Sequence, residues 1–230
     1  QMEEPLHTAM FTNPDHVPSL LLQAHNQADA EQYDAANGIL KAIFKVNPHH
    51  AESWALQAAL HTVRNEPAKA KAARANGLKH WKTNPLVDHE IGKKLSSKYL
   101  FAEGAAHQRQ ALNFDNDYIP AKTQLAQDLL RLGEDEEGWR LAAEAHEEDG
   151  YDVTTFNLLT LHDSLKKYVT IERNGFLLRM TRDESALYGD EAIDLLTEAR
   201  ELFSAKYDTQ IEGPVIVEIF PEKKDFAVRT

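Results

Sequence analysis

The sequence lacks cysteine altogether, which excludes disulfides and thiolate metal sites. It also lacks an apolar run of the roughly 18 residues that span a bilayer, and its polar start shows no signal-peptide pattern. Basic residues are in deficit, with 25 Lys and Arg against 37 Asp and Glu, for a net charge of −12. An acidic surface disfavours nucleic acid and anionic membranes as partners. We therefore expect a soluble protein, cytoplasmic or exported after removal of a signal, that binds no nucleic acid.

What the sequence does contain is a repeated helical pattern. A helix signal begins at Tyr33, places the small residue Ala36 inside, and stops at Asn47-Pro48, because proline forces the preceding residue out of the helical region. The same pattern recurs about every 34 residues, the period typical of helix–turn–helix solenoids. Four units and a closing helix are predicted, at 17–48, 51–84, 85–118, 119–152 and 153–167. Residues 1–16 show little periodicity and are predicted to be a partly ordered lead-in.

The repeats resemble the tetratricopeptide repeat. The second unit carries the large residue and the small residues of that motif at Trp54, Ala58 and Ala70. In the third unit, Gly92 and Gly104 stand at positions where two helices cross closely and a larger side chain would separate them. The alternative is another array of helical hairpins with a looser period.

After residue 167 the hydrophobic period changes from that of a helix to that of a strand. Tyr168–Arg173 alternates, and Asn174-Gly175 then separates it from a second apolar run, which is a strong hairpin signal. A capping box at 181–184 predicts a helix to about Tyr207, bent near Gly189, followed by a strand at 215–220. Residues 168–230 are therefore predicted to form a small, partial α+β domain that continues beyond Thr230.

This C-terminal piece resembles the opening of peptidase-MA-like (gluzincin) metallopeptidase domains, which follow tetratricopeptide repeats in some bacterial proteins. The resemblance rests on Arg179, Asp183-Glu184, 217–221 and 225–230. It implies a zinc site, a His-Glu-x-x-His helix, downstream of these residues.

The chain itself carries no such zinc motif. His89-Glu90 and His146-Glu147 are followed by Lys93 and Gly150, where a second histidine is required. We therefore predict no catalytic residue, metal or cofactor in this chain, and zinc only in a longer protein. The eleven histidines are otherwise scattered, which is typical of surface histidines.

The predicted binding surface is the concave face of the solenoid, which the first helix of each unit lines. Leu21 and His25 occupy the positions that carry Lys and Asn in relatives that clamp a terminal carboxylate, so no such clamp is expected. Alternatively, residues 1–16 fill the groove. The candidate partner-binding residues are His25, Asp29, Ala55, Ala59, His89, Lys93, Ser97, Thr123, Gln127 and Arg131.

The sequence therefore predicts a mainly α protein, a tetratricopeptide-like α-solenoid of helical hairpins followed by a small partial α+β domain. The first functional hypothesis is a scaffold that binds a peptide or partner protein on its concave face. The second is a fragment of a zinc metallopeptidase whose catalytic region lies beyond Thr230. A third, a structural spacer, stays open, as does the oligomeric state.

Overall fold

A computed structural model describes residues 3–229, and within that range the chain forms twelve helices and three strands. It confirms the mainly α class, with helical hairpin repeats and a small sheet near the C-terminus. The helices are α1 Glu3–Thr12, α2 Val17–Asp29, α3 Tyr33–Val46, α4 Ala51–Val63, α5 Pro67–Gly77, α6 Pro85–Ser96, α7 Phe101–Phe114, α8 Ile119–Leu132, α9 Asp135–Glu148, α10 Val153–Leu165, α11 Arg182–Tyr207 and α12 Lys223–Arg229. The strands are β1 Tyr168–Arg173, β2 Phe176–Thr181 and β3 Val215–Glu218.

The repeat keeps a constant register of 34 residues from α2 to α10. The turn inside each hairpin contains one residue in the left-handed conformation, and these residues also recur every 34 positions. These residues are Glu31 (φ 61°), Asn65 (φ 56°), Tyr99 (φ 62°) and Gly133 (φ 81°). After the first of these, the amide of Gln32 donates to the carbonyl of Gln27 at 2.8 Å, which closes the end of α2.

A second periodic turn joins one hairpin to the next. The side chain of Asn47 accepts a hydrogen bond from the amide of His49 at 3.0 Å, and Asp115 and Asp149 do the same for the residue two positions on. Asn13 makes this turn as well, accepting from Asp15 at 3.2 Å, one period before Asn47. The helix α1 that ends before Asn13 is therefore in register with the second helices of the hairpins.

This finding changes the interpretation of the N-terminal segment, since residues 3–12 form a helix where the sequence predicted a partly ordered lead-in. Helix α1 packs against α2, and Met10 joins the first core cluster. Lys93 and Ser97 remain exposed, so α1 does not cover that part of the predicted groove.

The chain divides into two compact units, Gln1–Leu132 and Gly133–Thr230. Among the described residues of the first unit, two buried clusters are built from the facing sides of its hairpins. One joins α2, α3 and α4 around Leu40, Ile43 and Leu56, and the other joins α4, α5 and α6 around Val87 and Ile91. The division falls earlier than residue 168, so α9 and α10 belong to the same unit as the sheet, although the sequence pattern groups them with the repeats.

The helices α6 and α7 approach each other most closely at two glycines. A Cβ atom on Gly92 would stand 2.8 Å from the carbonyl oxygen of Gly104 and 2.6 Å from Nε2 of Gln108. These positions have no room for a side chain, which is the physical reason for the small residues that the sequence repeats.

The second unit contains a sheet of order β1-β2-β3. Strands β1 and β2 form the predicted antiparallel hairpin, and Asn174 (φ 53°) and Gly175 (φ 76°) make its two-residue turn. Strand β3 pairs with β2 in parallel, after the crossover helix α11. Thr181 caps that helix as predicted, and the helix is kinked at Tyr188, next to the predicted bend.

One side of α11 covers the sheet. Its Ile193 packs with Phe176, Leu178 and Met180 of β2 in a buried core cluster. On the other side, Leu195 and Leu202 are more than 60% exposed, at 66% and 62%. Helix α12 packs against α10 within the same unit.

Candidate functional site

All ten predicted partner-binding residues lie in the first unit, on α2, α4, α6, the residue after α6, and α8. Their burial sorts them into three groups. Asp29, Lys93 and Ser97 are exposed; His25, Thr123, Gln127 and Arg131 are half-buried; Ala55, Ala59 and His89 are buried.

The two alanines of α4 do not form a binding surface. Ala55 and Ala59 have no exposed area, and they pack in one cluster with Val87, Ile91 and Leu95 of α6. The motif position alone predicted them as groove residues. Because alanine is small, α6 packs directly onto this face of α4, and the interface between two neighbouring hairpins takes the place of a groove wall.

His89 is also part of the interior. Its Nδ1 donates to Oε1 of Gln108 at 2.9 Å, and Nε2 of Gln108 donates to the carbonyl of His89 at 3.1 Å. Burial lowers the pKa of His89, so the ring stays neutral near pH 7. The role of this residue is to join α6 to α7.

A polar patch lies where α6 reaches across to α2, with Asp29 and Lys93 exposed and Lys94 buried. Nζ of Lys94 donates to Oδ1 of Asp29 at 2.8 Å, and Nζ of Lys98 donates to the carbonyl of Asp29 at 3.2 Å. Two cations thus meet the C-terminal end of α2, where the helix dipole favours positive charge. The sequence analysis missed both lysines, although their spacing of four residues near a helix end was a visible signal.

His25 belongs to the same patch. Burial and the nearby charge of Lys94 lower its pKa, while Glu90 and Asp29 oppose the shift. The imidazole is therefore largely neutral at pH 7 and can both donate and accept a hydrogen bond. Lys93 adds a cation with 59% of its side chain exposed, 3.9 Å from Glu90. We call His25, Asp29, Glu90, Lys93 and Lys94 the α2–α6 patch.

The candidates on α8 lie four residues apart along one side of the helix. The hydroxyl of Thr123 is buried and has no hydrogen-bond partner in the described part of the chain. The guanidinium of Arg131 lies over the ring of Phe101, 5.2 Å from its centroid. Arg131 is therefore held against α7, whereas Lys93 projects into solvent.

Two buried carboxylates hold the hairpins behind this surface. The first, Asp88, accepts two hydrogen bonds from Arg74, at 2.8 and 2.7 Å, and one from His107 at 2.7 Å. Burial alone would raise the pKa of Asp88, but these bonds outweigh it and hold the pKa below its ordinary value. Asp88 is thus a fixed anion that ties α5, α6 and α7 together.

The pKa of the second carboxylate, Asp128, is shifted in the opposite direction. Burial raises its pKa to about 6, against the hydrogen bonds of Gln124 and Ser96. The hydroxyl of Ser96 has one hydrogen and two acceptors, the carbonyl of Gly92 at 3.0 Å and Oδ2 of Asp128 at 2.8 Å. Once Asp128 is protonated, it can donate to Ser96 while Ser96 donates to Gly92, so the neutral acid satisfies every group.

The second unit has its own ion cluster, which is partly buried. Arg179 bonds Asp135 and, at 3.0 Å, Glu218. Arg229 bonds the same two carboxylates, at 3.0 Å to Asp135 and 2.5 Å to Glu218, and its guanidinium lies 5.7 Å from the ring centroid of Trp139. Asp135, which lies in the acidic run at 134–137, thus holds two arginines.

Within residues 3–229, no three His, Cys, Asp or Glu side chains converge as metal ligands would. His49 and His80 contact each other at 2.9 Å, but no third ligand joins them there. None of the helices in the described range combines the length and apolar content that crossing a bilayer requires.

No protein-family model and no curated protein matches this sequence. Among solved structures, the chain is similar to TTC0263, a thermophilic TPR protein of Thermus thermophilus. The TM-score is 0.51 and the identity 16%, over 67% of this chain and 85% of that one. MamA (TM-score 0.39, 14% identity, 63% and 85% covered) and YrrB, a TPR protein with an unusual peptide-binding site (0.38, 14%, 69% and 84%), superpose less well. The fold is thus that of a TPR-like helical repeat protein.

Proposed function

We propose that the first unit is a protein–protein interaction scaffold that binds a peptide or partner protein on the α2–α6 patch. The observation that carries this proposal is the patch itself. Lys94 of α6 and Lys98, two residues beyond α6, are fixed against the end of α2, and beside them Lys93 and the neutral His25 are accessible to solvent. Such a surface offers donors and acceptors to a peptide backbone on a rigid helical support.

The contribution of α8 to this surface is part of the proposal. Gln127 and Arg131 extend the polar surface in the same unit, and Arg131 is pre-ordered by its contact with Phe101. A pre-ordered side chain loses less conformational entropy when it binds a partner. The proposed peptide therefore carries acidic or amide groups that Lys93 and Arg131 can bind.

The test is a peptide selection followed by charge reversal. Peptides selected from a displayed random library on the wild-type protein are measured by fluorescence anisotropy against Lys93→Glu with Arg131→Glu. We expect affinity to fall by about tenfold or more, because two favourable charges become unfavourable. The matched control reverses two exposed lysines on second helices, Lys41→Glu with Lys71→Glu. Equal affinity for both double variants would favour a structural spacer instead.

A finer proposal concerns the second unit, as the non-catalytic opening of a metallopeptidase-like domain. Arg179, Glu218 and Arg229 all lie in the segments that resemble the peptidase-MA-like family, and they converge in one partly buried cluster. This convergence supports a structural role for those segments. The described residues do not fit a zinc site, since His89 is bonded to Gln108 and no ligand group converges.

Zinc content and peptide hydrolysis of the full-length gene product, measured beside residues 1–230, test that second proposal. Stoichiometric zinc in the longer protein alone would support it. Tightly bound zinc in residues 1–230 would contradict the placement of the site downstream, and zinc in neither would remove the metallopeptidase proposal.

A further inference from the structure

A regular apolar stripe runs along α11, and the rest of its unit leaves the two leucines of this stripe exposed. Ala192, at one end of the stripe, also packs against the edge of the sheet core. Leu195 and Leu202 are seven residues apart, and Ala192 and Ala199 precede each leucine by three. Residues at this spacing lie on one side of a helix. We call these four residues the α11 stripe. Its leucines are strongly exposed, and Phe203 beside it is half exposed.

The pattern of the stripe is that of a helix-pairing seam. Leucines every seventh residue, alternating with alanines, provide large side chains to insert and small sites that let a second helix approach closely. The opposite side of α11 is already used, since Ile193 is fully buried against β2. The helix therefore has one face against the sheet and one face free to pair.

Charge identifies the partner. Glu191 and Glu198 each precede an alanine of the stripe, so they line one edge of it, and Glu201 lies further round on the same side. None of the three glutamates has a basic partner among the described residues. The nearby arginines are engaged elsewhere: Arg173 binds Asp190 and Asp194, and Arg200 lies over the ring of Phe176.

A second copy of this chain would not place a basic residue beside these glutamates. In an antiparallel pair of α11 helices, the edges that carry Glu191 and Glu198 would face each other and repel. In a parallel pair, each glutamate edge would face the apolar edge that carries Phe203, and no carboxylate would gain a cation. We infer that the α11 stripe binds an amphipathic helix of a partner protein that carries Lys or Arg beside a leucine-rich apolar face.

The probe is a synthetic helical peptide of about three heptads, with Leu and Ala along its seam and Lys beside them. A matched peptide has Glu in place of each Lys. Anisotropy with the intact protein should show the Lys peptide binding at least about tenfold more tightly. Leu195→Asp should abolish binding, whereas Val153→Asp, a substitution of an equally exposed apolar residue on α10, should leave it unchanged.

Charge exchange makes the inference testable even if Leu195→Asp disturbs the fold. Glu191→Lys with Glu198→Lys should reverse the preference, so that the Glu peptide binds more tightly. Equal binding of both peptides, or no binding of either, overturns the inference. Sedimentation of the protein alone tests whether a second copy of the chain covers the stripe. A dimer that dissociates in the Leu195→Asp variant would show that it does. Lys93 and Arg131 are not involved, so failure here is distinct from failure of the proposed repeat surface.

Discussion

The two units differ in the sequence distance between an inward-facing carboxylate and the residues that pair with it. In the first unit, Asp88 takes its partners from neighbouring helices, Arg74 and His107, which are 14 and 19 residues away. In the second unit, Asp135 takes Arg179 and Arg229, which are 44 and 94 residues away. Local contacts close short loops at small entropic cost, whereas distant ones must order most of the unit first. The first unit can therefore form hairpin by hairpin, but the second forms its cluster only when strands and helices are already in place.

The largest expected effect comes from breaking the distant cluster. Arg229→Met leaves two partly buried carboxylates to share one arginine and should destabilise the second unit by about 3 kcal/mol. Hydrogen exchange by residue range, together with urea unfolding, locates the loss in one unit. Arg173→Met is the control, because Arg173 pairs with exposed Asp190 and Asp194 and such pairs contribute about 1 kcal/mol or less. Equal small losses would mean that the cluster contributes no net stability.

The pH dependence of the first unit should depend on Asp128. Its folded pKa of about 6 lies above the ordinary 3.8, so the folded state binds the extra proton between those values and gains stability as pH falls through them. Asp128→Asn lacks this gain. Its free energy of unfolding, relative to wild type, should fall by about 2 to 3 kcal/mol between about pH 7.5 and pH 4. A flat difference between Asp128→Asn and the wild type over this pH range would contradict the pKa shift.

A smaller effect tests the close helix crossing. Gly92→Ala would force α6 away from α7, because its Cβ has backbone atoms of Gly104 within 2.8 Å. We expect a loss of about 1 to 3 kcal/mol in thermal or chemical unfolding. Gly38 in α3 is the matched control, since a Cβ there meets nothing within 4 Å. Gly38→Ala should stabilise by about 0.5 to 1 kcal/mol, because alanine favours the helix. If both substitutions changed the free energy of unfolding in the same direction, α6 and α7 would have to shift apart at little cost.

The smallest effect concerns the left-handed turn residues. Tyr99→Gly should stabilise the first unit by about 1 kcal/mol, because glycine adopts positive φ without a steric cost. Asn65→Gly is the comparison, since asparagine already tolerates that conformation, and a gain of only a few tenths is expected. Melting temperatures of the two variants would separate them. A larger gain at Asn65 than at Tyr99 would mean that the contact of Tyr99 with Phe101 outweighs the strain.

Sequence reasoning was most accurate where the signal is local. It located the hairpin turn at Asn174-Gly175, the cap at Thr181 and the helix start at Tyr33, since each depends on a few adjacent residues. It missed α1, because residues 3–12 carry little amphipathic pattern; among its described side chains, Met10 packs against the core.

Residues that act through distant partners were not predictable in the same way. Ala55 and Ala59 were assigned to a groove because the motif position is usually open, but α6 packs onto them. The cluster of Asp135 with Arg229 has no signal in the sequence, since no local pattern relates residues 94 apart. The three glutamates beside the α11 stripe were visible in sequence, yet only the structure shows which side of the helix the sheet covers.

The constant register of the turns also bears on how such a chain changes its length. Glu31, Asn65, Tyr99 and Gly133 share one backbone conformation at intervals of 34 residues. A duplication or deletion of that length, cut at equivalent turns, joins two chain ends that already have matching geometry. Any other length would leave one helix rotated about its axis, with its apolar side turned to water. Gain or loss of whole hairpins is therefore the change in size that this backbone tolerates best.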